Sequence, residues 1–470
     1  MADFSSNYPL IVLIFTALAA LIAGAPKNAN IRLVSMVAFV GLVLAGALSV
    51  EGMTAEGPSF GSMILHGVYP CFFTLLFCLA GIVTLLLSEP YLQRFGHPQA
   101  EYTILLLFAT VGMVLMASAN DLITVFLGVE LMSICLYVLA GFFRTEERSN
   151  EASLKYFLLG AFATGFLLYG IALVYGSSGT TNLTLIGAMH PDAGSRMIFT
   201  LGATLIAVGL SFKVAAVPFH MWAPDVYEGA PTPVTAFMST GAKAAAFAAF
   251  LTVFSRTLHF GGSSVAAVIA VIAASSMIVG NVVAISQSNI KRMLAYSSIA
   301  HAGYMLSGVA AGSVQGEVGV MFYLSAYAFM NLGAFGVISV VERDHSEGLG
   351  IDSYAGLSRR RPLLAGLMAL FMFSLAGIPP FAGFFGKYYV FLAAIDARMT
   401  WLAIVGVLTS VVSAYYYLRI VVVMYFQDGE ATPVSAPARP VLIALILSAL
   451  MTLQFGIYPS AVLRLTHQLF

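Results

Sequence analysis

A chain of 470 residues that is 60% hydrophobic and 9% charged lies far from soluble domains, which run at about 45–50% apolar and about 25% charged. Its 21 basic and 21 acidic residues could not cover a water-soluble surface of this size, and the even balance excludes nucleic acid as a main partner. Cys71, Cys78 and Cys135 stand in apolar runs without a CxxC pair or a nearby His, which argues against an iron–sulfur or zinc site and for small buried side chains. The apolar share suffices for about fourteen spans of about 20 residues. The expected fold is all-α, a polytopic membrane protein.

In chain order, the first apolar segment covers residues 8–25. Ala23-Gly24-Ala25 resembles a signal-cleavage site, but Asp3 precedes it without Lys or Arg and Pro26 follows. It therefore reads as a retained helix. Further segments fall at 32–50, 69–88, 102–118, 121–141, 152–175, 197–219, 231–256, 263–285, 291–311, 317–341, 362–396, 401–425 and 438–457. Fourteen crossings put both termini on one side. The connections are short, so no soluble nucleotide- or flavin-binding domain is expected, and no strands.

Basic residues orient such a bundle. The odd-numbered loops carry Lys27, Arg32, Arg94, Arg144, Arg148, Lys155, Lys291, Arg292, Arg343, Arg359, Arg360, Arg361 and Arg439. The even loops and the C-terminus carry Arg196, Arg256, Arg398 and Arg464. Thirteen against four places the odd loops inside and both termini outside.

Lys213, Lys243 and Lys387 lie within spans, Glu130 near the middle of the fifth and His301 near the middle of the tenth. A charge at bilayer depth costs at least about 2.5–3.5 kcal/mol on insertion scales. Snorkelling near a helix end would explain Lys213 alone, and a hydrogen-bonded core imidazole would explain His301 alone. Together they read as a buried ionisable chain. The spans that carry them are broken. The seventh meets Pro218 and Pro224, and the twelfth runs 35 residues through Gly377-Ile378-Pro379-Pro380, over about 50 Å of helix for a core of about 30 Å. Broken helices beside ionisable residues mark transporters. A kink serving packing alone is less expected twice, each time near a lysine.

Two segments also repeat. Aligning Tyr137 with Tyr304 leaves 81 residues to Pro218 and 76 to Pro380. Helices four to eight and nine to thirteen are five each, so the second copy enters the membrane from the opposite side, as an inverted repeat. The expected division is 1–101 (helices one to three), 102–258 (first repeat), 259–426 (second repeat) and 427–470 (helix fourteen).

The stretch from Phe212-Lys213 through His220-Met221-Trp222-Ala223-Pro224-Asp225-Val226-Tyr227-Glu228-Gly229-Ala230-Pro231 closely resembles subunit N of bacterial NADH–quinone oxidoreductase, called subunit 2 in mitochondria. Lys243, the segment Asn289–Tyr304 and Gly377-Ile378-Pro379-Pro380-Phe381 through Lys387 are similar to the same family. L- and M-type subunits and cation/proton antiporter subunits share the inverted repeat and central lysines. The helix-seven motif looks N-type, Lys387 stands where the M-type has Glu, and the long lateral helix of the L-type is missing.

The resemblance implies a proton-translocating membrane-arm subunit of respiratory complex I, in the bacterial inner membrane, with no cofactor of its own. Flavin and iron–sulfur centres belong to partner subunits, which also handle NADH and quinone. It makes Glu130 the helix-five carboxylate, Lys213 its partner, Lys243 the central lysine, His301 the linking group and Lys387 the exit-side lysine, with His220 near proton uptake. Glu130 and Lys213 are expected to form an ion pair that opens and closes, worth about 4 kcal/mol at about 4 Å and an effective dielectric near 20. A free-standing cation/proton antiporter subunit and a purely structural anchor are the rival readings. The anchor leaves the buried charges unexplained.

Overall fold

The computed structural model describes residues 7–26, 29–54, 57–97, 99–189, 194–257, 264–342, 348–429 and 434–460. Lys27, Arg343 and Arg464, the side chain of Arg256 and the 258–259 division between repeats lie outside what is described. The helices are α1 (Tyr8–Gly24), α2 (Ile31–Glu51), α3 (Val68–Arg94), α4 (Ala100–Ser118), α5 (Leu122–Ala140), α6 (Glu147–Ser178), α7 (Leu183–Ala188), α8 (Arg196–Lys213), α9 (Trp222–Gly229) and α10 (Thr232–Phe254). They continue with α11 (Ser264–Ile285), α12 (Ile290–Ala310), α13 (Val314–Val341), α14 (Leu357–Arg360), α15 (Pro362–Ala376), α16 (Ala382–Asp396), α17 (Thr400–Phe426) and α18 (Arg439–Ile457). Eleven of the described helices are long and apolar enough to cross a membrane, and α1 and α15 are shorter apolar helices.

No strand was expected, yet β1 (Gly57–Ser59) pairs antiparallel with β2 (Ile64–His66) between α2 and α3. Three residues a side is too short to show a period-two pattern in the sequence. The tip is made by Phe60, Gly61 and Ser62 with φ of 49°, 66° and 65°, and the Asn120 amide pins it by donating to the Ser62 carbonyl at 3.0 Å.

A helix apolar on all sides belongs inside a bundle. The apolar windows of α10 and α13 are wholly buried, and these two helices form the axis. At the periphery α6 turns Phe157, Phe162 and Tyr169 outward, and α17 turns Val411 and Tyr415 outward. Such apolar faces suit lipid or a neighbouring subunit.

The loops sort onto two faces. On one, the Lys155 ammonium reaches Asp225 at 2.6 Å, and Arg292 bridges Asp225 at 2.6 Å and Glu228 at 3.1 Å. Arg94 donates to the Ser339 carbonyl at 2.7 Å and Arg361 to the Val434 carbonyl at 2.9 Å on the same face. Partial burial pushes the Asp225 carboxyl up, but the hydrogen bonds from Lys155 and Arg292 outweigh it and leave the group below its ordinary value. On the other face, the segments before α3, before α5 and after α6 are joined through Ile64–Ala119 and Asp121–Asn182 bridges. The first face carries most of the basic loop residues and is called the basic face below.

The inverted repeat is visible in matching contacts. Leu122 N donates to Thr181 O at 2.9 Å and Leu183 N to Asn120 O at 2.8 Å; Ile290 N donates to Leu349 O and Ile351 N to Ser288 O, both at 2.8 Å. The bridges Asp121–Asn182 and Asn289–Gly350 coincide with these pairs. Every residue in the second set lies 168 positions after its counterpart. Helix packing keeps the same offset. A Cβ on Gly112 would stand 2.6 Å from Met132 N, and one on Gly280 would stand 2.6 Å from Ala300 N. Absence of a side chain is what lets α4 lie on α5 and α11 on α12. The offset corrects the Tyr137–Tyr304 alignment by one residue. With the correct register Glu130 corresponds to Ser298 and Ser133 to His301.

Candidate functional site

Both broken segments lie beside a buried lysine, and at the second break the lysine uses the freed backbone. Helix α8 ends at Lys213, and the chain runs irregularly to α9 with Ala215 at φ 58°. Such a left-handed conformation is rare for a residue with a Cβ and is held only by its surroundings. Trp222 Nε1 donates to the Phe212 carbonyl at 3.1 Å, and Val217 N donates to Ser276 Oγ of the second repeat at 2.9 Å. Helix α15 ends at Gly377, whose φ of 87° suits glycine alone. Its last carbonyls then accept from Lys387, Ala376 at 2.9 Å and Leu375 at 3.3 Å, and Ser410 Oγ accepts at 2.7 Å. An ammonium at a helix C-terminus answers both the unpaired carbonyls and the dipole.

Lys213 is buried, which removes snorkelling as its explanation. Its ammonium donates to Ser133 Oγ at 2.7 Å and to the Tyr137 hydroxyl at 3.4 Å, both on α5. The expected ion pair with Glu130 is not formed. Glu130 is only half-buried and accepts instead from Thr164 Oγ1 of α6 at 2.9 Å. The physical reason lies in the spacing: Ser133 and Tyr137 sit one and two turns beyond Glu130 on one face of α5, and the hydroxyls intercept the lysine.

Lys243 follows a π-helical turn, Met238–Ala242, within α10, an irregularity that recurs at functional sites. Fully enclosed, its ammonium donates to the Ser298 carbonyl at 2.7 Å and to Ser298 Oγ at 2.5 Å. His301, one turn further along α12, lies between two phenols, with Nδ1 at 2.8 Å from Tyr323 OH and Nε2 at 3.0 Å from Tyr417 OH. Tyr417 hydrogen-bonds Ser297 in turn. From there Tyr416 donates to Asn281 Oδ1 at 2.9 Å, the Asn281 amide donates to Tyr304 OH at 2.9 Å, and the Lys387 ammonium lies 5.0 Å from the Tyr304 ring centre. The structure thus places Lys243, His301 and Lys387 along one buried polar region between the repeats, whereas Lys213 contacts Ser133 and Tyr137 of the first repeat.

His220 stands apart. It lies in the irregular stretch before α9, half-buried, with Nδ1 enclosed and unpartnered. Ser133, Ser298, Tyr323 and Tyr417 are the partners of Lys213, Lys243 and His301 that the sequence did not single out. A signal existed for two of them, since Ser133 follows Glu130 and Ser298 precedes His301 by three residues, on the same helix face. Among the described residues no group of three His, Cys, Asp or Glu side chains is placed to hold a metal, and the three cysteines are free and buried.

An inverted-repeat membrane bundle with buried amines at two helix breaks defines a class of ion-translocating subunits. Residues 119–413 match the NADH:quinone oxidoreductase/Mrp antiporter transmembrane family. NADH-quinone oxidoreductase subunit N of Trichlorobacter lovleyi is 49% identical, over 91% of this chain and 89% of that protein. Subunit N 1 of Chloroherpeton thalassium is 46% identical over 99% and 98%. A chain of respiratory complex I from Thermus thermophilus superposes with a TM-score of 0.86 at 35% identity, covering 97% of this chain and 98% of that one. A chain of the Mrp complex from Dietzia superposes equally well, at 0.86, but with 23% identity shares the fold alone. The chain belongs to the subunit N family of NADH-quinone oxidoreductases.

Proposed function

We propose that this chain is the proton-translocating subunit N of an NADH–quinone oxidoreductase, working in a membrane arm of several different subunits. What supports the reading is the set of buried polar contacts around Lys243, His301 and Lys387, with Lys213 buried at the first repeat's helix break, in a chain of this family. Amines in water stay protonated, whereas burial disfavours the charged form and turns a lysine into a proton carrier. Hydroxyls of Ser298, Tyr323 and Tyr417 can pass a proton without carrying net charge. In this reading Lys213 answers to the charge on Glu130, Lys243 is the central relay, His301 links the repeats, Lys387 releases, and His220 aids uptake. Electrons from NADH reach quinone through flavin and iron–sulfur centres of partner subunits, and this chain holds no redox centre.

Fourteen crossings in a bacterial inner membrane go with this role. The eleven long helices are joined by α1, by α12 and by the α15–α16 pair. The basic face is cytoplasmic and both termini are outside, and helices four to eight and nine to thirteen divide as 102–258 and 259–426.

The test is Lys243→Ala in the whole complex. Assembly should persist while coupled proton transport is lost, and quinone reduction, which is tied to that transport, should slow with it. Lys243→Arg should not restore it, because guanidinium keeps its proton. Normal pumping in an assembled Lys243→Ala complex would refute the relay. Purification from the native membrane separates the antiporter reading, which requires the chain to migrate without a redox assembly.

A further inference from the structure

A second set of buried ionisable groups lies at the basic face, off the path just described. Glu342 caps α13 and is 2% exposed. Its carboxylate accepts from Thr232 Oγ1, the first residue of α10, at 2.6 Å. The Tyr91 phenol faces the same carboxylate, and Thr232 N donates to Tyr91 OH at 3.4 Å. Lys291, 1% exposed, donates to the Ala230 carbonyl at 2.6 Å and lies within electrostatic reach of Glu342. Arg94 and the hydroxyl of Tyr354 complete the surroundings. An acid so enclosed carries a desolvation cost that a structural cap would not require, since a glutamine could accept the same bonds.

Access and exit are both present. A cleft of about 110 Å³ opens on the basic face against Tyr91, Arg94 and Ser339, with Arg94 exposed at its mouth. Inward, α13 presents Asn331 eleven residues before Glu342, three turns back on nearly the same face. The Asn331 amide donates to Tyr327 OH at 2.8 Å, and the phenols of Tyr327 and Tyr227 face Ser298, which holds Lys243. Two buried polar atoms without a protein partner, Tyr354 OH and Asn331 Oδ1, mark the two ends of the interval. Such atoms are where ordered water binds.

We propose that Glu342 is the proton-collecting residue of the basic face. Its carboxylate takes a proton from water in the cleft beside Tyr91. It then returns to carboxylate as the proton passes along the Asn331–Tyr327–Ser298 side to neutral Lys243, which becomes ammonium. Lys291 compensates the carboxylate between deliveries. The inference rests on Lys243 being the central relay.

The experiment uses the purified whole complex in detergent, where no gradient opposes turnover, and follows NADH-driven quinone reduction against pH with and without formate. Glu342→Gln keeps the hydrogen-bond acceptor but cannot carry a proton. Its turnover should fall about a hundredfold at neutral pH, at the low end of what a positioned acid contributes, rise as the pH falls, and recover with formate. Full turnover would overturn the proposal, and so would a loss that is flat with pH and indifferent to formate, since that is a packing defect. Should Glu342→Gln fail to assemble, Thr232→Val, which removes only the bridging hydroxyl, must show the same pH steepening, and flat full-rate behaviour there overturns it too. If Lys243→Ala pumps normally, the relay itself is wrong; if only Glu342→Gln is silent, the inlet alone falls.

Discussion

In the first repeat α5 begins on the cap of Asp121 and carries Glu130 and Ser133; in the second, α12 begins on the cap of Asn289 and carries Ser298 and His301 at the equivalent places. The frame around them is the same. Caps, bridges and glycine contacts recur 168 residues apart with distances matching to about 0.1 Å. What differs is the charge that the frame holds. The first repeat keeps a half-buried carboxylate at its edge, where a neighbouring subunit can act on it. The second has a neutral hydroxyl there, and Lys243 of the first repeat crosses to bind it. The scaffold is repeated, and what differs on one helix face is its chemistry, a carboxylate and a hydroxyl in the first repeat against a hydroxyl and an imidazole in the second.

The largest expected effects come from exchanging that chemistry. Ser298→Asp would place an anion against Lys243, and at about 4 Å with an effective dielectric near 20 the attraction is on the order of 4 kcal/mol. That is enough to pin the ammonium, so proton transport should fall to near zero in vesicles matched for assembled complex. Ser298→Ala leaves the backbone carbonyl contact and should retain part. At the opposite edge, Glu130→Gln should impair pumping strongly and Glu130→Asp partly. Unchanged transport in Ser298→Asp would remove Ser298 from the path, and a normal Glu130→Gln would end the idea of a charge-sensing edge.

Intermediate effects should come from the shared packing. Alanine at Gly112 or Gly280 drives a Cβ into backbone of the facing helix, which cannot swing aside, and overpacking of that kind costs about 1–3 kcal/mol. Both variants should lower assembled complex and its thermal midpoint to a similar degree. Gly165→Ala, which meets nothing within 4 Å, should be neutral or slightly stabilising through helix propensity. Clearly unequal losses at Gly112 and Gly280 would show that the two helix pairs do not bear load alike.

How much of this could be read in the sequence depended on the kind of signal. Lys213, Lys243 and Lys387 stand out because a charge in an apolar run is costly wherever it lies, and the Pro-rich breaks stand out because a helix cannot pass them unchanged. Ser133 and Ser298 do not, since a serine in a membrane helix costs little. Their role exists only when a lysine from another helix arrives. Register failed for a related reason. Tyr137 and Tyr304 look equivalent, but one residue is about 100° of helix. Tyr137 accepts from Lys213, whereas Tyr304 turns its ring to Lys387. The glycine contacts that fix the true offset appear only with the helices side by side. The Glu130–Lys213 pair was expected from opposite charges on neighbouring helices, and intervening hydroxyls took the lysine.

The smallest expected effect distinguishes the two caps. Asp121 accepts from Ile123 N at 2.8 Å and from Thr181 Oγ1 at 2.8 Å. Asparagine keeps only one of these two oxygens, so the Ile123 contact survives while its NH2 meets the Thr181 hydroxyl, which must turn to accept. With the anion at the helix N-terminus also lost, at about 0.3–1 kcal/mol, Asp121→Asn should lower stability slightly. Asn289 also accepts, from Lys291 N at 2.9 Å and Arg292 N at 3.2 Å, but its amide donates to Glu228 at 3.1 Å. Asn289→Asp would gain about 0.3–1 kcal/mol from an anion at the helix N-terminus. It would lose a hydrogen bond to a charged acceptor, worth about 1.5–3 kcal/mol, and bring a second carboxylate against Glu228. Arg292, already shared between Asp225 and Glu228, offsets part of that repulsion. The balance is a net loss of about 1 kcal/mol, within the range of a removed cap. The thermal midpoint of the assembled complex should therefore be lower for Asn289→Asp than for Asp121→Asn. If Asn289→Asp melts at or above the parent, the Glu228 contact contributes nothing, and the two caps differ in name alone.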